Sequence, residues 1–258
     1  TGKRPTRGST ATSWPWNTKR STAVWFNARS TPLLFTVHNE NRHPYDLELL
    51  DDYDRLTSRD DTPELVVFHL MGQHVSYSDR YPKEEAYFTP GDIRREDLTQ
   101  QERQVVADYD NATRYNDQVV DAILARFTDR DAIAVYLSDH GEEVYDYRDF
   151  FCRSHDLPLT PEVCKYQFEI PFMIWMSDTY RRNRPDVAAQ VAGALDRPFS
   201  ADDLSHLLLD LAGIRCRWYD PARSLIGERF DTTRPRPLLM GFEPAGNYET
   251  IIGRDRKQ

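Results

Sequence analysis

Three short runs of apolar residues stand out from an otherwise polar chain: Glu64–Met71 (ELVVFHLM), Ala132–Ser138 (AIAVYLS) and Ile170–Met176 (IPFMIWM). None alternates with polar residues, and none is long enough for a buried helix. Each reads as a strand covered on both faces. Between the first two runs the period changes. Val105, Val106, Tyr109, Ala112, Tyr115, Val119, Ile123, Leu124 and Phe127 recur at helical spacing. This predicts a long helix from about Gln100 to Thr128, opened by the capping-box pattern Thr99-Gln-Gln-Glu102. An earlier helix is expected over YDLELLDDYDRL, with Leu47, Leu49, Leu50 and Leu56 near one side. Later helices are expected at about 185–196, and from a cap at Ser200-Ala-Asp-Asp203 to a stop at Gly213. LLMGF and ETIIG suggest a terminal hairpin, and residues 75–97 form a polar, aromatic loop punctuated by Pro82 and Pro90.

Buried-type strands that alternate with helices indicate an α/β fold, with a mostly parallel central sheet and helices on both faces. Ligands of such sheets bind outside the carboxyl ends of the strands. Chemistry is therefore expected in the loops after Met71 and Leu137. Residues 1–38 read differently. They are rich in Thr, Ser, Arg and Lys, with Trp14, Trp16 and Trp25 at no clear period. Little order is expected up to about Ser21, then one strand in AVWFN or LLFTV. The chain thus divides into an atypical segment, 1–38, and a domain, 39–258.

The 258 residues suffice for one large domain or two small ones, and 39% hydrophobic with 29% charged residues suits a soluble globule. A net charge of -9 excludes a general nucleic-acid binder, which needs a basic face, but not an anionic substrate held by a metal. No apolar run approaches the roughly 18 residues of a membrane span. Residues 1–20 lack the apolar core of a signal peptide. Cys152 and Cys164 are near enough in sequence for a loop disulfide, and unpaired thiols fit equally well.

Two strand ends carry histidines, in Gly72-Gln-His74 and Ser138-Asp139-His140-Gly141, and His155 follows in the long loop after the second. Asp139 offers oxygen and His140 nitrogen, a mixed set that suits zinc. Gly141 permits close backbone approach. Glu142 and Glu143 either support the ligands from behind or are simply exposed acids, with exposure favoured; His69 is read as structural, and His38, His43 and His206 as surface or packing residues. Tyr77, Tyr81, Tyr87 and Phe88 either line an acceptor groove or simply pack their loop.

Five strings in order, HLMGQHVSYSDRYP, YDNATRYNDQVVDAIL, YLSDHGEEVYD, YQFEIPFMIW and DLAGIRCRWYDPARSLI, resemble the periplasmic domain of phosphoethanolamine transferases. These are members of the sulfatase and alkaline phosphatase-like superfamily. DHGEEVYD and WYDPARSLI are most similar to the branch that modifies the heptose of lipopolysaccharide core, with the lipid A-modifying enzymes as cousins. The resemblance covers roughly Asn39 to Arg236. It implies transfer of phosphoethanolamine from phosphatidylethanolamine to a lipopolysaccharide sugar through a phosphorylated threonine, at the periplasmic face of a bacterial inner membrane. It implies Zn2+ on Asp139 and His140, and phosphate-handling roles for His74 and His155. The family's Glu ligand and Thr nucleophile lie upstream of the first strand. Residues 1–38 do not resemble that segment, although they include Thr6, Thr10, Thr12, Thr18 and Thr22. The family's membrane anchor is expected outside this chain. A sulfatase proper would need a C/S-x-P-x-R segment, and no such string occurs.

Overall fold

The computed structural model describes residues 22–27, 35–38, 43–56, 63–154, 158–240 and 243–255. In chain order the elements are β1 (Thr22–Asn27), β2 (Phe35–His38), α1 (Leu49–Leu56), β3 (Glu64–His69), α2 (Gln100–Ala125), β4 (Ile133–Leu137), β5 (Glu143–Val144), β6 (Phe151–Cys152), α3 (Pro161–Gln167), β7 (Phe172–Met176), α4 (Asp178–Asn183), α5 (Pro185–Ala192), α6 (Leu204–Leu211), β8 (Pro237–Met240), β9 (Glu243–Asn247) and α7 (Tyr248–Asp255).

The long helix forms where its period placed it. Thr99 Oγ1 accepts from Glu102 N at 3.3 Å, and the Glu102 carboxylate accepts from Thr99 N at 2.6 Å, so both halves of the capping box are made. Two short helices were not anticipated. Thr160 caps α3 with Pro161 in its first turn, and Ser177 caps α4. At α6 the expected cap differs: Asp203 makes no cap bond and instead pairs with Arg223 and Arg234. At the C-terminus the hairpin is β8 with β9. The ETIIG stretch lies in α7, because Ile251 and Ile252 pack against Leu159, Val163 and Cys164 around α3. Both AVWFN and LLFTV contribute strands, β1 and β2, where one was expected. The expectation of little order up to Ser21 lies outside the described residues.

Cross-strand partners share a face, and this fixes the layers. In the antiparallel pair β4–β7, Tyr136 lies opposite Met173, and Val135 opposite Ile174. Tyr136 accepts from Asn116 Nδ2 of α2 at 2.8 Å. Phe172, Ile174 and Met176 pack on Val187 and Val191 of α5 and on Leu204, Leu207 and Leu211 of α6. Helices therefore cover both faces of this sheet, as an α/β fold requires.

β3 pairs antiparallel with β1, in a second sheet of order β2-β1-β3. It runs beside β4 in the same direction. At their amino ends Glu64 and Arg130 form an ion pair at 2.8 Å. Past their carboxyl ends Tyr77 donates to Glu142 Oε1 at 2.6 Å. Yet β3 and β4 are not hydrogen-bonded to each other, so every ladder among the described strands is antiparallel, in place of the parallel ladders expected. A cavity of about 2590 Å³ separates them, walled by residues 64–71 on one side and 132–138 on the other.

Candidate metal site

The site is built where β4 ends. Gly141 N donates to Gln167 O at 3.0 Å, which draws the Ser138–Glu143 turn onto the end of α3. A Cβ at position 141 would stand 2.3 Å from Tyr166 O, so only glycine allows this approach. Beyond it the chain dives inward. Glu143 is fully buried, held by Arg148 through Nε at 2.9 Å and Nη2 at 3.0 Å, and by Gln167 Nε2 at 3.1 Å. Gln167 Oε1 in turn accepts from Ser154 N at 3.2 Å. This corrects the reading of Glu142 and Glu143 as exposed acids. Glu143 anchors the turn, and Glu142, mostly buried, takes the Tyr77 hydroxyl. Burial, then the hydrogen bond to Glu142, pushes the Tyr77 phenol far up, so it stays a donor.

On this anchored turn Asp139 projects outward, its side chain 86% exposed, and His140 is half-buried beside it. The His140 Nδ1 lies 2.7 Å from Gly141 O. A carbonyl can only accept, so Nδ1 carries a hydrogen and Nε2 is the nitrogen left to bind a ligand. Nε2 stands 3.6 Å from Asp139 Oδ1. Two ligands each ~2.0–2.2 Å from one tetrahedral zinc lie ~3.4 Å apart. The pair thus fits two positions of one zinc, with the ring orientation fixed from behind. Among the described residues no cluster of three or more His, Cys, Asp or Glu side chains is arranged to hold a metal. Asp139 and His140 could therefore supply two positions of such a set and not the whole of one.

His74 lies on the other rim. The turn that carries it is clamped by buried Asp46, whose carboxylate accepts from Met71 N at 3.1 Å and Gly72 N at 2.8 Å. The His74 ring is exposed, its Nδ1 3.3 Å from Val75 O, and it lines the same cavity as Asp139 and His140. His155 lies outside the described residues. Arg153 and Lys165, both exposed, also line this cavity and were not singled out from sequence. Their only signal was position, one near His155 and one in a helix that was overlooked.

The remaining expectations divide. Tyr77 and Tyr81 are buried against Ala112, Tyr115 and Val119, so for them loop packing is the right reading and not a groove. Asn111 pins the same loop, accepting from Tyr87 N and Phe88 N at 2.7 and 2.8 Å. His206 is buried and accepts from Asp220 N at 3.0 Å, a packing role. Cys152 and Cys164 are free thiols. No helix among the described residues is long and apolar enough to cross a membrane.

A family model described as Sulfatase matches residues 6–214. The phosphoethanolamine transferase EptC of Escherichia coli K12 is 31% identical over 226 residues, 84% of this chain but 38% of that protein. The Kdo(2)-lipid A phosphoethanolamine 7''-transferase of the same strain is 30% identical over 152 residues, 58% of this chain and 26% of that one. Among solved structures, the C-terminal periplasmic domain of EptC from Escherichia coli superposes with a TM-score of 0.67 at 30% identity, covering 82% of this chain and 59% of that chain. The same domain in complex with Zn gives 0.67 at 31% identity. The chain spans less than two fifths of the length of the curated relatives named here.

Proposed function

We propose that this chain, which belongs to the sulfatase family, carries part of the zinc site and part of the phosphate-handling face of a phosphoethanolamine transferase. The whole enzyme moves phosphoethanolamine from phosphatidylethanolamine to a lipopolysaccharide sugar, core heptose or lipid A, at the periplasmic face of the inner membrane. The reaction passes through a phosphorylated threonine that we assign to no residue of this chain. One observation carries the reading: consecutive Asp139 Oδ1 and His140 Nε2 stand 3.6 Å apart at the rim of the cavity, with Nδ1 donating to Gly141 O behind the ring. The zinc-bound EptC domain, similar over most of this chain, supports it.

Asp139 and His140 would hold zinc there, and the bound metal would supply Lewis-acid chemistry, polarising a phosphoryl oxygen and activating a hydroxyl. The chain's own residues do the rest. Gly141 O, by accepting from Nδ1, keeps the His140 ring turned outward. His74 and His155 hold the phosphate and pass protons to the leaving and entering oxygens. Arg153 and Lys165 supply positive charge for an anionic group on the same wall. Residues 39–258 form the unit that carries these groups.

The absence of a third ligand beside the pair, among the described residues, favours a second reading in which this chain by itself is an inactive part. Metal analysis of the purified protein against Asp139→Ala/His140→Ala tests the first. A clear loss of bound zinc in the variant is expected, and equal zinc in both would sink the assignment. Mass spectrometry after incubation with phosphatidylethanolamine then separates the readings, since a phosphothreonine on this chain excludes the inactive one.

A further inference from the structure

Positive charge is not spread evenly along the cavity. Among the described residues, five lysines and arginines line it. Three sit near the amino ends of β3 and β4, and a carboxylate neutralises each: Asp54 meets Arg126 at 3.1 Å, Glu64 meets Arg130 at 2.8 Å and Asp131 meets Arg184 at 2.7 Å. The other two, Arg153 and Lys165, have no carboxylate partner among the described residues. They belong to the opposite end, and Gln167 brings them together there. Its carbonyl accepts from Gly141 N at 3.0 Å, and its side-chain oxygen accepts from Ser154 N at 3.2 Å. Arg153 directly precedes Ser154, and Lys165 stands one turn of chain before Gln167, so both flank the turn that carries Asp139 and His140. Glu142 and Glu169, on the same wall, each accept a tyrosine hydroxyl at 2.6 Å and pair with neither cation.

Lys165 is also held in place. Its Nζ lies 5.0 Å from the centroid of the Tyr166 ring. That ring stacks on Tyr147, with centroids 5.8 Å apart and planes 9° from parallel. The Arg148 guanidinium lies 5.2 Å from the Tyr147 ring and is itself fixed by buried Glu143. A ladder of rings and cations therefore runs from the buried carboxylate out to the exposed ammonium. An ammonium over a tyrosine face at an exposed site gains about 0.5–1 kcal/mol, which narrows the positions an exposed lysine visits.

We propose that Lys165 and Arg153 form an acceptor subsite for a sugar that carries its own phosphate, and that Tyr166 positions Lys165 for it. The inference rests on the transferase reading, which supplies the two substrates. The donor headgroup is a zwitterion. Two unpaired cations repel its ammonium, so this wall does not suit it. The wall suits the acceptor instead, through an anion borne by the sugar. A phosphomonoester offers nearly two charges and three acceptor oxygens, enough for an ammonium and a guanidinium together.

The test is titration calorimetry on the whole chain with a chelator present, so that zinc plays no part. The probes are glucose 1-phosphate, glucose 6-phosphate, glucose and phosphoethanolamine. Binding of at least one sugar phosphate is expected, weakened roughly ten-fold by Lys165→Ala and restored by Lys165→Arg. Tyr166→Leu should weaken it roughly three-fold, whereas Tyr166→Phe, which keeps the ring, should bind as wild type does. Lys165 is exposed, so its truncation leaves the fold intact. The tighter of the two sugar phosphates names the carbon that bears the phosphate. The proposal is overturned if neither sugar phosphate binds, if glucose binds as tightly, or if phosphoethanolamine binds as tightly with the same dependence on Lys165. Equal losses in Tyr166→Leu and Tyr166→Phe remove Tyr166 from its positioning role. Zinc content of Asp139→Ala/His140→Ala, measured separately, decides the metal assignment, so the two readings can fail independently.

Discussion

β4 and β3 are both apolar runs beside the same long helix, yet they meet opposite conditions. β4, paired with β7, is covered by α2 on one face, while α5 and α6 cover the sheet on the other. β3 buries Val66 and Phe68 against Tyr53 and Phe127 but leaves Leu65 47% and Val67 41% exposed. The β4 end is tied by a buried carboxylate to α3, whereas the turn after β3 is clamped by Asp46. Sequence alike in hydrophobicity therefore does different work: β4 is half-buried along its whole length, and β3 alternates between half-buried and exposed positions. Each substitution below probes one side of that contrast.

The largest effects belong to the β4 side. Glu143→Ala removes the buried carboxylate on which Arg148 and Gln167 converge, and losing hydrogen bonds to a charged group costs about 1.5–3 kcal/mol. Urea unfolding should show it, with zinc content falling in parallel as the Asp139–His140 turn loosens. Unchanged stability would mean that the turn is not anchored there. Leu207→Ala, at a fully buried site under β7, should cost about 2–5 kcal/mol.

Gly141→Ala comes next. Its Cβ would collide with the Tyr166 carbonyl, and forcing atoms into a packed site costs about 1–3 kcal/mol. Because the collision pushes the turn away from α3, zinc affinity should fall by more than stability does. Equal zinc affinity in wild type and variant would show that the ligands do not depend on this approach.

These residues also show how much the sequence could say. Asp139, His140 and His74 were visible because strand ends in an α/β fold are where ligands sit, and a family resemblance sharpened their roles. Glu143 was not visible: nothing local distinguishes it from Glu142, and its partners Arg148, Gln167 and Ser154 converge only once α3 folds back. α3 itself left a readable mark, Thr160 followed by Pro161, which was lost inside an apparently irregular loop. The open face of β3 was illegible for another reason. An apolar run reports that a strand has contacts to make, and does not report which of its faces meets solvent.

Alkaline pH offers a smaller effect on the α2 layer shared by both strands. Burial, then donation to Asp108, pushes Tyr81 up to about 12, and burial, then the charge of Glu142, pushes Tyr109 up to about 12. Unfolded phenols ionise near 10. The folded state therefore holds these protons more tightly, and their contribution is fully present below pH ~10. It is lost as pH rises from ~10 towards ~12, by at most ~1.4 kcal/mol per pH unit for each phenol. Urea midpoints at pH 8, 10 and 11 should be level and then fall. Tyr81→Phe should make the fall shallower, and an unchanged slope would remove Tyr81 from the account.

Leu65→Ser should have the smallest effect, and for that reason it sharpens the contrast most. Ordinary core logic assigns a leucine in the middle of an apolar strand a cost of about 2–5 kcal/mol on truncation. Here half of the side chain already meets solvent, so substitution removes little buried surface, and a change within about 0.5 kcal/mol is expected, as at a surface site. Val66→Ser, one residue along and packed against Tyr53, should cost clearly more in the same denaturation series. If Leu65→Ser proves as costly as Val66→Ser, the face is covered in solution, and β3 is core on both sides like β4.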